Sequence, residues 1–276
     1  MNSLPIGVFD SGIGGLTVVN AIQKHLPNED LVYVGDTARV PYGSRSPGTV
    51  IDYATQIATY LEDTGVKEIL IACNTASAVA LEIVAAQTSL PVSGVIVPGA
   101  EAAMELNESG HIGVIATRAT IKSGAYQNAI QQIQPGAEVI SVATPLLVPL
   151  IEEGCMDEPF TLEVLQHYVR PSRLSECDSL ILGCTHYPLL AEQISRVFEK
   201  PIVDTPTATA LALAKNLDQR NARNVPNREG SLSILLTDDA DRSLGIVSRR
   251  LGVRITETKK IGLSELTAPE IRASRS

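Results

Sequence analysis

The sequence predicts an α/β protein made of two pseudo-symmetric, doubly wound lobes with mainly parallel sheets. Short apolar runs rich in β-branched residues recur along the 276 residues, and most are separated by stretches with helical periodicity. This alternation is typical of βαβ units, whose parallel sheets are covered by helices on both faces. The predicted strands are Ile6–Phe9, Leu31–Val34, Glu68–Ala72, Val92–Val97, Ile112–Ala116, Val139–Val142, Leu180–Leu182, Ile202–Val203 and Leu232–Leu236. The predicted helices include Leu16–Leu26, Thr49–Leu61, Ala76–Gln87 and Leu189–Phe198.

The composition is that of an ordinary globular protein, with 44% hydrophobic and 19% charged residues. The formal net charge of −9 repels phosphate backbones and gives no support to a nucleic-acid partner. Met1–Pro5 lacks the basic region of a signal peptide. The apolar runs fall short of the roughly 18 residues that span a bilayer. We therefore expect a cytoplasmic protein without a membrane segment.

Two pairs of segments indicate an internal duplication. Ile69–Thr75 aligns without a gap with Leu180–His186, and each contains a buried strand, a small residue, a cysteine and two hydrogen-bonding residues. A weaker match pairs Ile6–Ser11 with Ile112–Thr117 at nearly the same separation. Parallel strands resemble one another by chance, but two matches with a shared cysteine favour duplication. Since chemistry in doubly wound sheets lies beyond the C-terminal ends of the strands, one cysteine from each lobe should face a common cleft between the lobes.

The repeated cysteines, Cys73 and Cys184, suit the inversion of a stereocentre. One acid/base group removes the proton from one face of Cα, and a second group delivers a proton to the other face. A thiol has a free pKa of about 8.5, and the start of a helix can favour its thiolate. The pattern therefore predicts an amino-acid racemase, with Asp10 and His186 as partners that move protons on and off the thiols.

The same strand ends argue against a cofactor or a metal. A pyridoxal racemase needs a Schiff-base lysine, and none occurs at the four strand ends that carry polar residues. The loop with Gly12, Gly14 and Gly15 has Thr17 where a dinucleotide fingerprint requires a third glycine. A zinc ion held by His186 and the two cysteines would need ligands from both lobes, and these residues include no pair at the short sequence spacing that is typical of zinc ligands. We expect none of these groups.

Six segments of the chain form a recognisable set that extends from residue 10 to about residue 204. The segments are DSGIGGLTV from Asp10, VGDTARVPYGSRS from Val34, ACNTASA from Ala72, IGVIATRATIKSGAY from Ile112, ATPLLVPLIEEG from Ala143 and LGCTHYPLL from Leu182. The set resembles the glutamate racemases, a bacterial family that supplies D-glutamate to peptidoglycan. A cysteine followed by Thr-His is common to the wider group of aspartate, glutamate and hydantoin racemases, and the second segment narrows the similarity to glutamate racemases.

The resemblance implies roles for individual residues. Cys73 and Cys184 would be the two proton donors and acceptors, Asp10, Glu152 and His186 would assist them, and Asp36 would be a nearby supporter. The implied contacts to glutamate are Asp10, Ser11, Pro41, Tyr42, Gly43, Ser44, Asn74, Thr75, Thr117, Thr120, Thr185 and His186.

The resemblance also implies the domain organisation. Residues 1–97 and 207–276 would form the first lobe, which carries Cys73, and residues 98–206 the second, which carries Cys184. The chain would cross between lobes near Val97 and Thr207, although Val97–Gly99 departs from the form expected at this hinge. Members of the family assemble in different ways, a homodimer among them, and the sequence does not select one.

Several alternatives remain open at this stage. Asp36 could be a helix N-cap before Thr37, and Glu152 could be a solvated helix residue. The remaining titratable candidates have structural or solvent-facing interpretations; they are Cys155, Cys177, His25, His111 and His167. For the whole protein, the alternatives are another isomerase or decarboxylase of the same fold acting on aspartate or a malonate-like acid, and a non-catalytic dithiol protein.

Overall fold

Strands and helices alternate along the computed structural model, which describes residues 3–225 and 228–267. The strands are β1 (Ile6–Asp10), β2 (Leu31–Gly35), β3 (Glu68–Ile71), β4 (Val92–Gly94), β5 (His111–Ala116), β6 (Glu138–Ala143), β7 (Ser179–Gly183), β8 (Ile202–Val203), β9 (Leu232–Leu236) and β10 (Glu257–Lys260). The helices are α1 (Leu16–His25), α2 (Pro47–Thr64), α3 (Asn74–Gln87), α4 (Ile96–Glu105), α5 (Arg118–Ser123), α6 (Ala125–Ile133), α7 (Leu147–Glu152), α8 (Pro159–Val169), α9 (Ala191–Phe198), α10 (Thr205–Gln219), α11 (Asp241–Leu251) and α12 (Leu263–Thr267). Short 3₁₀ helices cover Tyr42–Ser44, Arg173–Glu176 and Tyr187–Leu190.

The strands form two sheets, and every pair of hydrogen-bonded neighbours is parallel. The strand order is β10-β9-β2-β1-β3-β4 in the first sheet and β6-β5-β7-β8 in the second. Buried apolar clusters cover both faces of each sheet, so that Val8 and Phe9, neighbours in β1, belong to different clusters. The predicted α/β fold class is therefore confirmed. No helix in the described part of the chain is both long and apolar enough to cross a membrane.

The two sheets repeat the same arrangement, because β2-β1-β3-β4 of the first corresponds to β6-β5-β7-β8 of the second. The register is also repeated. Gly7 lies opposite Ile69 in the first sheet, and Gly113 lies opposite Leu180 in the second. These four residues are the ones that the internal sequence match places in equivalent positions. The predicted duplication is thus confirmed at the level of strand order and register.

One predicted strand, Val92–Val97, is wrong at its C-terminal end. The strand β4 stops at Gly94, and α4 begins at Ile96. The reason lies in α3, where the Ser77 hydroxyl accepts a hydrogen bond from the Val95 N–H at 3.1 Å. This bond takes Val95 out of the strand ladder. Pro98 then falls in the first turn of α4, where its missing N–H costs no helical hydrogen bond.

The edge strand β10 was not predicted from the sequence. It pairs with β9 in parallel register, and all four of its residues are exposed. An exposed polar edge strand lacks the apolar pattern by which strands are recognised. The predicted first lobe also includes residues 1–2, 226–227 and 268–276, which lie outside the described residues.

A buried ion pair joins distant parts of the first sheet at the N-terminal end of β3. The Lys67 ammonium donates to the Glu29 carboxylate, to the Ala222 carbonyl at 2.8 Å and to Asn224 Oδ1 at 3.0 Å. Glu29 also accepts the Asn224 N–H at 2.8 Å. Lys67 and Glu29 are both buried. The pair therefore ties the segment that follows α10 to the loop that precedes β2.

Replacing Lys67 by Met should lower the free energy of unfolding by about 3–5 kcal/mol, because it leaves the Glu29 carboxylate buried without its cation. Urea denaturation followed by circular dichroism measures the change. The matched control is Lys260→Met, which breaks the exposed pair with Asp238 and should change stability little. Equal effects of the two substitutions would show that the buried ion pair contributes no more to the free energy of unfolding than the exposed one.

Candidate active site

The two repeated cysteines line one cavity between the sheets. Cys73 follows β3 and Cys184 follows β7, and each is almost fully buried. Because β3 and β7 occupy equivalent positions in their sheets, the cavity receives one thiol from each. Residues that follow strands of both sheets complete the wall, so the cavity lies beyond the C-terminal strand ends.

Cys73 lies in a dry and negatively charged environment. Burial raises the pKa of the Cys73 thiol, the nearby Asp10 carboxylate raises it further, and the result is about 12. Hydrogen bonds from the Ala76 N–H and the Ser11 hydroxyl offset only part of this effect. At neutral pH Cys73 is therefore a thiol, able to donate a proton.

Cys184 has a cationic neighbour instead. The Sγ atom lies 3.9 Å from His186 Nδ1, and His186 Nε2 lies 3.2 Å from Glu152 Oε1. The second contact has an ion-pair distance but not the geometry of a directed hydrogen bond. Burial by itself would lower the pKa of His186, but the contacts with Cys184 and Glu152 outweigh it and raise this pKa to about 10. His186 is therefore an imidazolium at neutral pH, and it places a positive charge beside Cys184.

The glycine loop after β1 is shaped for close packing against the second sheet. A Cβ on Gly14 would lie 2.3 Å from His186 Nδ1, so only glycine allows the imidazole to approach. Thr17, which stands in place of the third fingerprint glycine, donates to the Thr185 carbonyl at 2.9 Å. Thr185 in turn donates to Asp10 Oδ1 at 3.2 Å. The loop thus holds the segment after Cys184.

Asp36 supports the cavity wall from behind. Its carboxylate accepts hydrogen bonds from the Tyr42 hydroxyl, from Arg39 Nε at 2.7 Å and from the Thr237 hydroxyl at 3.0 Å. Tyr42 lines the cavity. The N-cap alternative for Asp36 is wrong, because the chain forms a turn at Thr37 and begins no helix there.

Three threonine hydroxyls meet across the cavity wall. Thr75 Oγ1 lies 2.9 Å from Thr117 Oγ1 and 3.0 Å from Thr120 Oγ1, and the latter two are 3.0 Å apart. Thr75 opens α3, whereas Thr117 and Thr120 lie at the start of α5. Each hydroxyl has one proton, and those of Thr75 and Thr117, which line the cavity, can turn it towards an incoming carboxylate.

The chain was compared with known proteins. The model of the Asp/Glu/hydantoin racemase family matches residues 14–213. A glutamate racemase from Aquifex aeolicus is 44% identical over 253 residues, which are 91% of this chain and 96% of that protein. The crystal structure of the Francisella tularensis glutamate racemase in complex with D-glutamate is similar, with a TM-score of 0.89, 37% identity, and coverage of 95% of this chain and 99% of that one. A glutamate racemase isoform from Bacillus anthracis has a TM-score of 0.90 and 34% identity over 95% of this chain and 99% of its own.

The chain belongs to the glutamate racemase family. Its two sheets and the cavity between them are therefore the glutamate racemase fold, as the resemblance implied.

Most of the residues assigned from the glutamate racemase pattern line the cavity. They are Ser11, Pro41, Tyr42, Gly43, Ser44, Cys73, Asn74, Thr75, Thr117, Glu152, Cys184, Thr185 and His186. Asp10 and Thr120 lie one layer behind the wall, where their hydrogen bonds to Thr185 and to the other threonines keep them close to it. Glu152 is partly exposed but pairs with His186, so it is not simply a solvated helix residue.

Other members of the wall were missed from the sequence; they are Val40, Arg118, Pro145, Val148, Pro149 and Tyr187. Each of them is adjacent in sequence to an assigned residue or lies within an assigned segment, and this proximity was the available signal. Cys155, Cys177, His25, His111 and His167 lie outside the cavity wall. Within residues 3–225 and 228–267, no three His, Cys, Asp or Glu side chains are grouped so that they could hold a metal ion.

The raised pKa of His186 can be observed directly by NMR. The chain has four histidines, and the Cε1–H resonance of His186 should titrate near pH 10, well above the ordinary value of about 6.5. The sign follows from the contacts with Cys184 and Glu152, which favour the protonated ring until the pH rises through that value. His186→Gln should remove this resonance, and His111→Gln, at an exposed pair with Glu138, should leave it. Titration of the His186 signal below pH 7 would contradict the electrostatic description.

Proposed function

We propose that the protein interconverts L-glutamate and D-glutamate by moving protons at Cα between substrate and two cysteines, without a cofactor. The observation that carries the proposal is that Cys73 and Cys184 come from equivalent strand ends and line one cavity. Inversion requires acid/base groups on opposite faces of Cα, and a duplicated fold supplies such a pair. The product would supply D-glutamate for peptidoglycan synthesis.

Because the two thiols have different surroundings, the proton transfers in the L-to-D direction follow a definite order. The Cys184 thiolate, beside the His186 imidazolium, takes the Cα proton of L-glutamate, so that the Cα–H bond breaks and an S–H bond forms. The electron pair left at Cα then takes the proton of Cys73, whose pKa of about 12 keeps it a thiol. To reset the site, a solvent proton passes through Asp10 to Cys73, and Asp10 keeps none of it. On the other side, the Glu152 carboxylate takes a proton from the His186 imidazolium, the imidazole then takes the proton of Cys184, and Glu152 releases its proton to solvent.

The carbanion formed at Cα needs neutral hydrogen-bond donors as well as charges. The hydroxyls of Thr75 and Thr117 and the amide of Asn74 reach the cavity, where a water-poor site strengthens each hydrogen bond to a carboxylate. Thr185 and the Tyr42–Ser44 loop would hold the distal carboxylate. Together these donors account for a substrate with two carboxylates.

Thermodynamics constrains the two directions. L- and D-glutamate have equal free energies in solution, so the equilibrium constant is 1 and kcat/KM must be the same for both enantiomers at every pH. Differences between Cys73 and Cys184 can therefore appear only in kcat and KM taken separately. A comparison of kcat/KM between enantiomers is a check on the assay and carries no information about the cysteines.

The lobe boundaries belong to the same proposal. The first lobe would contain residues 1–97 and 207–276 and the second residues 98–206. In support, the first sheet takes its strands from residues 6–94 and 232–260 and the second from residues 111–203.

The four free cysteines fit a reducing compartment, so we place the protein in the cytoplasm. Its net charge of −9 disfavours a nucleic-acid partner.

Replacing either active-site cysteine by serine should abolish racemisation while leaving proton exchange on one face. Cys73→Ser and Cys184→Ser should each lower kcat for racemisation by about 10²- to 10⁴-fold, because a hydroxyl is too weak an acid to act at neutral pH. Circular dichroism of L-glutamate over time measures the loss. Cys155→Ser, outside the cavity wall, is the matched control and should retain full activity.

The reaction in deuterium oxide distinguishes a mechanism with two bases from a mechanism with one base. Wild-type product formed from L-glutamate should carry deuterium at Cα from its first appearance, because the donating thiol has exchanged with solvent. Cys73→Ser should still exchange the Cα proton of L-glutamate without inversion, and Cys184→Ser that of D-glutamate. Retention of the substrate's own proton in early product would indicate a single base. Near-normal racemisation by either variant would show that its cysteine is structural.

The kcat/KM for glutamate should exceed that for aspartate by more than roughly 200-fold, which is the most that the lost contacts of one methylene group can give. The shorter acid would leave the donors of the Tyr42–Ser44 loop unpaired once its other carboxylate is bound, and unpaired buried donors are costly. Measuring kcat/KM for both amino acids tests this, with glutamine as a control for the charge of the distal group. Comparable values for glutamate and aspartate would point to a relative of broad specificity.

A further inference from the structure

Tyr126 connects the surroundings of both cysteines although it does not line the cavity. It lies on α6, is 3% exposed, and its hydroxyl lies 2.6 Å from Oδ1 of Asn74, the residue that follows Cys73. Its ring packs against Gly183, the residue that precedes Cys184, where an added Cβ would lie 3.0 Å from the ring. The Tyr126 side chain, on a helix beside the second sheet, thus contacts a residue next to each of the two cysteines.

The hydrogen bond determines which end of the Asn74 amide faces the cavity. Burial raises the pKa of Tyr126, so the phenol keeps its proton and acts as the donor. A donor at the amide oxygen directs that oxygen towards α6 and leaves the two N–H groups on the other side. Asn74 lines the cavity, and its Nδ2 makes no hydrogen bond to any described residue that would hold it elsewhere.

We propose that Tyr126 is a positioning residue that orients the Asn74 amide so that its N–H₂ group donates to a carboxylate of the substrate. The proposal rests on the proposed function, because it assumes that the cavity binds glutamate. Without the phenol, the amide could rotate and present its oxygen to the carboxylate, which would repel it. Tyr126 would therefore control affinity through Asn74 and would take no part in proton transfer.

Tyr126→Phe isolates the hydroxyl, because it keeps the ring that packs against Gly183. Loss of one hydrogen bond that orients a donor should raise KM for both enantiomers about 5- to 10-fold and change kcat less than about twofold, as expected for binding that is equal in ground and transition states. The matched control is Tyr60→Phe, which removes the hydroxyl of a half-buried tyrosine on α2 away from the cavity. It should change neither parameter.

A double-mutant cycle with Asn74→Ala separates positioning from a general structural role. If Tyr126 acts through Asn74, Tyr126→Phe should change KM less than about twofold in the Asn74→Ala background. A further 5- to 10-fold increase in that background would overturn the proposal, as would a KM in Tyr126→Phe equal to that of the wild type. All assays are run below the melting temperature of each variant, as followed by circular dichroism.

Calorimetric titration with an equimolar mixture of L- and D-glutamate, whose composition the enzyme does not change, distinguishes failure of this proposal from failure of the proposed function. Wild-type protein that neither binds nor inverts glutamate would reject the function itself. Wild-type activity together with unchanged glutamate affinity in Tyr126→Phe would reject only the role of Tyr126. A 5- to 10-fold weaker Kd in Tyr126→Phe, absent in Tyr60→Phe, is the expected result.

Discussion

The geometry of the site depends on the equivalent register of the β1–β3 and β5–β7 pairs. Parallel strands present all their C-terminal ends at one edge of a sheet. Because the two sheets repeat the same strand order and pairing, Cys73 and Cys184 are carried to matching positions at two such edges. In the proposed mechanism, a planar intermediate in the cavity between those edges would meet a thiol on each face. The duplication of the fold would thus provide the symmetry that inversion of Cα requires.

On this symmetric scaffold the charges are not symmetric. Asp10 and burial keep Cys73 a thiol, whereas the imidazolium of His186 lies beside Cys184. The two cysteines are therefore suited to opposite parts of the proposed proton transfer, Cys73 as the acid and Cys184 as the base. Two identical surroundings would instead leave both thiols protonated or both ionised, and each turnover would begin with a proton transfer to correct that state. The difference in environment is what makes a pair of identical residues useful.

The parts predicted from the sequence are those encoded locally. The strands, the glycine loop and the repeated cysteine segments follow from short-range patterns, and the structure contains them. The predicted C-terminal end of β4 was wrong because the strand is ended by the hydrogen bond from the Val95 N–H to Ser77, which is a tertiary contact. The strand β10 was missed because its pairing with β9 carries no apolar signal. Tyr126 was not singled out, since its hydrogen bond to Asn74 spans two helices that only the folded chain brings together.

In the proposed mechanism, neutral donors at the substrate carboxylates would also protect the acid/base chemistry. Among the described residues of the cavity wall, the cationic side chains are His186 and the exposed Arg118. A lysine next to the substrate would bind a carboxylate more strongly, but its charge would also favour the thiolate of whichever cysteine lay nearest, Cys73 included, and so weaken the difference that His186 creates. In the proposed complex, hydroxyl and amide groups such as those of Thr75 and Asn74 would bind the carboxylates without changing which thiol holds the proton. Substrate binding and proton placement can then be adjusted independently within one small cavity.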